Sequence, residues 1–508
     1  MAESISTRQA EESLGRSALF STRLLASNAA WNFFGQAAPM VAALFCIPRL
    51  IHGLGVDRFG VLTLAWMVTG YFGLFDFGLG RALTKLVAEK LGTPDETAIP
   101  GLVWTGLVLM LFLGLAGAGL LALCTPALVT SVLKIPAHLQ AETRTVFYLL
   151  DLSIPIVIST TSLRGVIEAQ QRFALLSYVR VPTGIFSFAG PAFALAFSNS
   201  LVVIVAVLVA GRTVAWVAHL VLCLHTTPSM RSHVRWERSA VRPLLSFGGW
   251  MTVSNVISPI MVYLDRFMIG ALISVSAVAY YATPLEMVTK LLIIAWAVSG
   301  VLFPAFSSSF AQDRSRTVWL YERGVFSTFA PLLVIAAVLI GFSREILSLW
   351  LGADFANHSA AVLRLLAVGI FIFSLAHIPF ALVQGAGRPD LTAKLHLAEM
   401  PFYVIGAWWL ITRYGVTGAA IAWVTRVGAD AVALFWMAER LNPDCARCHR
   451  QLLAASVVAL AFFGVSTVDA SVLLKASVLL TGLALFSAAG WLLIGRSREA
   501  QARLGVGD

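Results

Sequence analysis

Ile99-Pro-Gly-Leu-Val-Trp-Thr-Gly-Leu-Val-Leu-Met-Leu-Phe-Leu-Gly-Leu-Ala-Gly-Ala-Gly-Leu-Leu-Ala-Leu-Cys-Thr125 contains no Asp, Glu, Lys or Arg. At about 1.5 Å of rise per residue, a helix of this run crosses a hydrocarbon core about 30 Å thick. A membrane-spanning strand would be about half as long and would alternate apolar with polar residues, which this run does not do. Lipid offers no hydrogen bonds to the backbone, so the run has to be helical. Comparable runs recur along the 508-residue chain, which is 58% hydrophobic and 12% charged, with mean hydropathy +0.84. A soluble domain carries roughly twice that charge. The composition therefore predicts an all-α polytopic membrane protein.

Fourteen spans are expected, near 26–52, 58–80, 99–125, 145–166, 173–197, 201–224, 244–272, 276–304, 324–342, 361–384, 390–412, 415–438, 451–468 and 472–495. Residues 1–25 are polar and of mixed charge, lack the pattern of a signal peptide, and read as a cytoplasmic tail. Basic residues concentrate in alternate loops, above all Arg231, Arg235, Arg238 and Arg242, and in the tail with Arg496, Arg498 and Arg503. This asymmetry predicts that both termini are cytoplasmic. It also accounts for the excess of 36 Lys+Arg over 26 Asp+Glu without a nucleic-acid partner, since no soluble basic module is present. Five cysteines form no disulfide framework, and Cys46, Cys124 and Cys223 fall within spans as packing residues.

The chain repeats itself. Phe34-Gly35 recurs as Phe247-Gly248, the turn Gly165…Glu168-Ala-Gln-Gln-Arg172 as Ala381…Gln384-Gly-Ala-Gly-Arg388, and Arg212 as Arg426, all at nearly constant offset. Six spans per copy is an even number, so the copies share one orientation and form parallel lobes. The expected layout is an N-lobe at 26–224, a basic cytoplasmic linker at 225–243, a C-lobe at 244–440, two further helices within 441–495 and a cytoplasmic tail at 496–508.

Two lobes with polar residues between them suit alternating access. Asn28, Asn32 and Gln36 fall at i, i+4, i+8 on one helix face, for contact with a cavity or with another helix. Arg180, Arg212, Arg266, Lys290 and Arg426 lie within spans, as do Asp76, Asp151, Asp265, Glu286 and Asp430. A charge at the centre of a span costs about 2.5–3.5 kcal/mol, so each needs a partner or a wet cavity. Glu286–Lys290 and Arg426–Asp430 are spaced i, i+4 and are expected to neutralise one another. Arg180 and Arg212 have no acid at that spacing on their own helices. A cationic surplus suits an anionic ligand, because the planar guanidinium matches phosphate oxygens in pairs.

Pro48-Arg-Leu-Ile-His-Gly-Leu-Gly55-Val-Asp-Arg-Phe59-Gly60, continuing to Leu74-Phe-Asp76-Phe-Gly78-Leu-Gly80-Arg81, resembles the start of the Wzx-type polysaccharide (O-antigen/exopolysaccharide) flippases. Tyr263-Leu-Asp265-Arg266-Phe-Met-Ile-Gly270, with Tyr280, Pro284 and Leu302-Phe-Pro304, extends the likeness. That family belongs to the multidrug/oligosaccharidyl-lipid/polysaccharide exporter superfamily. The resemblance implies an inner-membrane protein that moves an undecaprenyl-pyrophosphate-linked oligosaccharide from the cytoplasmic to the periplasmic leaflet. It also implies two six-helix lobes around a cationic cavity, with two extra C-terminal helices. On this reading Arg180, Arg212, Arg266 and Lys290 bind the anion, and Arg81 guides the diphosphate at the cytoplasmic mouth. Asn28, Asn32 and Gln36 contact the headgroup or sugars, and Asp76, Asp151 or Glu286 are candidate ion-coupling carboxylates.

No Walker A motif is present, since Gly78-Leu-Gly-Arg-Ala-Leu-Thr84-Lys85 lacks its ending. No cofactor, catalytic group or metal is expected. Cys445-Ala-Arg-Cys448-His449 matches a haem-attachment pattern, but its loop falls on the cytoplasmic side and provides too few metal ligands. Glu345–Gly352 reads as an interfacial amphipathic helix. Partners are expected to be the bilayer, the lipid-linked oligosaccharide, and polymerase and export machinery. The alternatives are an ion-coupled multidrug exporter, a peptidoglycan-precursor flippase and a membrane polysaccharide polymerase or ligase. The last lacks a substantial external loop, because 126–144 and 343–360 are the longest and neither carries an acid/base constellation.

Overall fold

A computed structural model describes residues 22–74, 79–91, 97–170, 172–232, 234–242, 244, 261, 263–310, 313–467, 471–482 and 484. Among the described residues the regular structure is entirely helical. The chain divides into two compact units, residues 1–279 and 280–508.

The first unit contains α1 (Thr22–Leu54), α2 (Val56–Leu74), α3 (Leu79–Lys90), α4 (Ile99–Ala127), α5 (Ala137–Ala169), α6 (Phe173–Ala194) and α7 (Leu201–Thr226). A further helix, α8, runs over 263–272. α5 is the central element and packs against α2, α3, α4 and α7. The most apolar part of α5 is 56% buried, against 17% for α4. α4 points Phe112, Leu115, Leu120 and Leu123 outward. Apolar side chains exposed over a whole span are the mark of a lipid-facing helix. On its other side α4 meets α5 almost backbone to backbone. A Cβ on Gly114 would lie 2.4 Å from the Cα of Pro155, so only glycine permits this approach. Glu142 ties three elements together at one end of the unit. One carboxylate oxygen accepts from Arg58 Nε at 3.1 Å, and the other accepts from the Leu201 amide at 2.7 Å at the start of α7. The carboxylate thus meets both a cation and the positive end of a helix. The described part of the linker packs at the other end of α7, with Trp104 Nε1 donating to the Met230 carbonyl and the Glu237 amide donating to Thr105 Oγ1.

The second unit runs through α9 (Val275–Thr289, which straddles the division), α10 (Leu292–Ser309), α11 (Arg314–Gly341), α12 (Ser343–Leu351), α13 (Ala353–Gly385), α14 (Pro389–Leu441) and α15 (Ala446–Ser466). Its last described helix is α16 (Val472–Gly482). α13 is central, packing against α10, α11, α12 and α14. α14 is two helices meeting at Gly415, whose backbone (φ 61°, ψ −138°) only glycine adopts readily. This break falls between the expected spans 390–412 and 415–438.

The repeat is visible in backbone detail. α5 and α13 are each 33 residues long. After α5, the Gln170 and Arg172 amides donate to the Val166 and Ile167 carbonyls; after α13, the Ala386 and Arg388 amides donate to Leu382 and Val383. The quoted sequence turns are therefore one structural turn used twice.

Two expectations about the spans need correction. α5 and α13 begin at 137 and 353, well before the expected 145 and 361. Their first turns carry His138, Gln140, Glu142 and Asp354, Asn357, His358; hydropathy trims such residues, whereas helicity depends on backbone bonding. Most of the supposed external loops is therefore helix, including α12, the expected amphipathic segment. The span at 276–304 contains a tightened turn at 290–291, with Leu291 and Ile293 donating three residues back. Residues 263–279 pack within the first compact unit. The Lys134 amide donates to the Gly270 carbonyl at 2.9 Å, and its ammonium reaches the Leu272 carbonyl.

Candidate functional site

The first unit gathers basic groups on α5, α6 and α7. Arg164 and Glu168 are one turn apart on α5, 3.5 Å from each other. Arg180 on α6 lies within electrostatic reach of both, and buried His219 on α7 within reach of Arg164. Two arginines and a histidine around one carboxylate leave a positive balance. Arg212 stands apart on α7. It is half-buried and has no hydrogen-bond or ion-pair partner among the described residues. Arg266 on α8 is 6% exposed, with its guanidinium 5.3 Å over the Tyr263 ring. The adjacent Asp265 is also buried and accepts from the Arg266 backbone amide at 2.7 Å. Among the described residues, the structure thus brings Arg180 to the α5 pair and gives Arg212 no partner.

Asp151 occupies the middle of α5. Both its carboxylate oxygens are buried without a hydrogen-bond partner among the described residues. Pro155 follows four residues later and, lacking an N–H, leaves the Asp151 carbonyl without its usual helical donor. Asp76 lies outside the described residues. The backbone of α1 carries Asn28, Asn32 and Gln36 at helical spacing and that of α3 carries Arg81, but these four side chains lie outside the described part of the structure.

In the second unit, Lys290 and Glu286 pair with each other at 3.0 Å, as their spacing predicts. Arg426 and Asp430 do not, although their spacing is the same. Arg426 lies 5.4 Å over the Tyr403 ring, and Asp430 Oδ1 faces His396 Nε2 at 3.4 Å. Both partners come from the first arm of α14, where His396, Glu399 and Tyr403 fall at i, i+3, i+7 and share one face. Glu399 is within electrostatic reach of Asp430, Arg426 and His396, and both of its carboxylate oxygens are buried without a hydrogen-bond partner among the described residues. α13 closes the group with His377, within reach of Asp430, and with Phe380 stacked on His396. Sequence reasoning passed over His396 and Glu399. The polar i, i+3, i+7 stripe within an apolar span was the available signal.

α12, which lies outside the expected spans, is fastened to α16 by Glu345 and Lys475, 2.7 Å apart. Burial disfavours the charged carboxylate. The hydrogen bond from Lys475 and the positive charges of Lys475 and Arg364 outweigh that and hold Glu345 below the usual carboxylate range. The Cys445-Ala-Arg-Cys448-His449 stretch is packed away. Both cysteines are buried, while His449 bonds to the Tyr321 hydroxyl at 2.8 Å and to Glu439 at 3.2 Å. Among the described residues no group of three His, Cys, Asp or Glu side chains has the arrangement of a metal site.

Comparison with known proteins places this geometry. Residues 25–310 match the family described as "Polysaccharide biosynthesis protein". The chain belongs to that family. It is 31% identical over 420 residues to a Shigella flexneri protein named "Putative O-antigen transporter", covering 82% of this chain and 97% of that one. It is 23% identical over 405 residues to a Haloferax volcanii protein named "Probable low-salt glycan biosynthesis flippase Agl15", covering 77% and 78%. Among solved structures, "Lipid II flippase MurJ, inward closed conformation" matches with TM-score 0.70 at 12% identity, over 92% of this chain and 99% of that one. A multidrug resistance MATE family transporter of the MOP superfamily matches with TM-score 0.68 at 15% identity, over 80% and 98%. At such identities the structural likeness is one of fold. This family member is an all-α, multi-pass membrane protein that shares its fold with those two transporters.

Proposed function

We propose that this protein is a flippase that moves an undecaprenyl-pyrophosphate-linked oligosaccharide from the cytoplasmic to the periplasmic leaflet of the inner membrane for surface polysaccharide synthesis. The observation that carries this reading is Arg212, which has no counter-charge among the described residues. A guanidinium without a counter-charge in a span is expensive to keep, and an anionic cargo supplies the missing charge during transport. The basic group around Arg180 gives the same unit a second point of attraction for a diphosphate. Membership of a polysaccharide biosynthesis family and the name of the Shigella flexneri relative support a glycan cargo.

The physical task sets the mechanism. A diphosphate and several sugars cannot cross hydrocarbon with their polar groups unpaired. Arginines and the amides of Asn28, Asn32 and Gln36 replace water around the headgroup while the prenyl chain stays in lipid. Alternating exposure of the two lobes then changes the open side. Both termini lie in the cytoplasm on this reading.

Depletion of the protein tests it. The expected result is accumulation of undecaprenyl-linked glycan in the cytoplasmic leaflet, with loss of surface polysaccharide and no lysis. Lysis with accumulated peptidoglycan precursor would transfer the role to that lipid. Unchanged glycan would overturn the reading.

A further inference from the structure

The second unit holds a group of ionisable side chains that the anion-binding reading does not use: His396 and Glu399 on the first arm of α14, Asp430 and Arg426 on the second, and His377 on α13. Two carboxylates share one buried locality. Asp430 is 3% exposed, and its Oδ1 has an imidazole 3.4 Å away without hydrogen-bonding geometry. Glu399 has two buried oxygens and no donor among the described residues. Among the described residues Arg426 is the one permanent cation facing them, and it lies against the Tyr403 ring with its Nε also unbonded.

The charge balance follows from the chemistry of these groups. Two ionised carboxylates against one guanidinium leave one excess negative charge in a medium that solvates it poorly. A proton removes that excess. Glu399, with both oxygens buried and no donor among the described residues, is placed to hold it beside Asp430 and His396. A metal cation fits less well, because Arg426 already occupies the locality with a fixed positive charge. An anionic headgroup fits less well again, because it would meet two carboxylates.

We propose that His396, Glu399 and Asp430 form a proton-binding site inside the second unit, and that its loading and release accompany the transport cycle. The coupling clause rests on the flippase reading given above; the site itself does not. The groups facing the two carboxylates are His396 on their own hairpin, Arg426 beside Asp430, and His377 from α13. Moving a proton on or off this site changes the charge between the two arms of α14 and α13, and so the packing of those three segments.

The test has two arms. Infrared difference spectra of the purified full-length protein across the neutral pH range read carboxyl protonation directly. The wild type is expected to show a titrating carboxyl band that is lost in Glu399→Gln and in Asp430→Asn and retained in Glu286→Gln. If Asp430→Asn proves unstable, Glu399→Gln with His396→Gln provides the same reading. Absence of the band, or its survival in Glu399→Gln together with Asp430→Asn, would overturn the site. The second arm follows undecaprenyl-linked glycan in cells while the proton gradient is collapsed. Wild-type export is expected to fall with the gradient, and Glu399→Gln is expected to lose that dependence. A lost band with export still gradient-dependent would overturn the coupling. If depleted cells accumulate no lipid-linked glycan, the flippase reading fails, while the spectra still report on the site.

Discussion

Arg212→Gln sets stability against function. In α7 the guanidinium is half-buried and meets no acid among the described residues. A charge at the centre of a span costs about 2.5–3.5 kcal/mol relative to an apolar residue. Half-burial lets the guanidinium recover part of its hydration, so a neutral glutamine is expected to raise stability by about 1–2 kcal/mol. The same change removes the fork that binds phosphate oxygens, so export is expected to collapse. Thermal denaturation of the purified protein in detergent measures the first quantity. Restoration of surface polysaccharide in a deletion strain, at matched protein level, measures the second. A residue held for packing would give the opposite pattern, with lower stability and a parallel loss of export. A more stable protein that exports at the wild-type level would refute the cargo-binding role.

Four further outcomes follow from the packing. Glu345→Leu strands the buried Lys475 ammonium; because Glu345 is itself partly exposed, about 2 kcal/mol is expected, below the 3–5 kcal/mol of fully buried pairs. Adding Lys475→Leu should restore most of it in a double-mutant thermal series, whereas additive losses would argue against the pair. The depressed Glu345 carboxyl contributes stability above its unfolded pKa, and this is lost as pH falls through the lower folded value. Attachment of α16 should therefore hold at neutral pH and loosen only in acid, as read by protease sensitivity of the C-terminal segment. Gly114→Leu drives a side chain into the Pro155 backbone and should cost about 1–3 kcal/mol or more in thermal stability. Gly415→Ala imposes a Gly-only conformation on an L-residue, costing about 1–3 kcal/mol by the same measurement.

The helical layout was legible because lipid leaves so few options. Uncharged runs such as 99–125 must be helices, and the break expected between 412 and 415 coincides with the turn at Gly415. The repeated turn was legible because Gln170 and Ala386 occupy the same backbone position, whatever their side chains. Helix beginnings were not legible, because α5 and α13 start in polar residues that hydropathy discounts. The partner of a charged residue was legible only where no other helix competed. Glu286 and Lys290 met as their spacing suggests, while Arg426 took the Tyr403 ring and Asp430 took His396. Spacing along one helix defines what can meet; the face of the neighbouring helix decides what does. Glu399 went unnoticed because its interest lies entirely in the company the fold gives it.

The reversal at Gly415 has a geometric consequence. Glu399 and Asp430 lie at nearly equal distances along the chain on either side of it, so a turn without a loop sets them at matching depth. The hairpin tip thereby serves as a ruler for the polar group far below it. Each residue added to one arm alone would shift that arm by about 1.5 Å and rotate it by about 100° relative to the other. Glu399 and Asp430 would part company before any side chain near them had changed. Tags or labels inserted at 414–416 would therefore disturb chemistry half a membrane away, whereas the turn at 386–388 offers an insertion point that leaves the two arms in step.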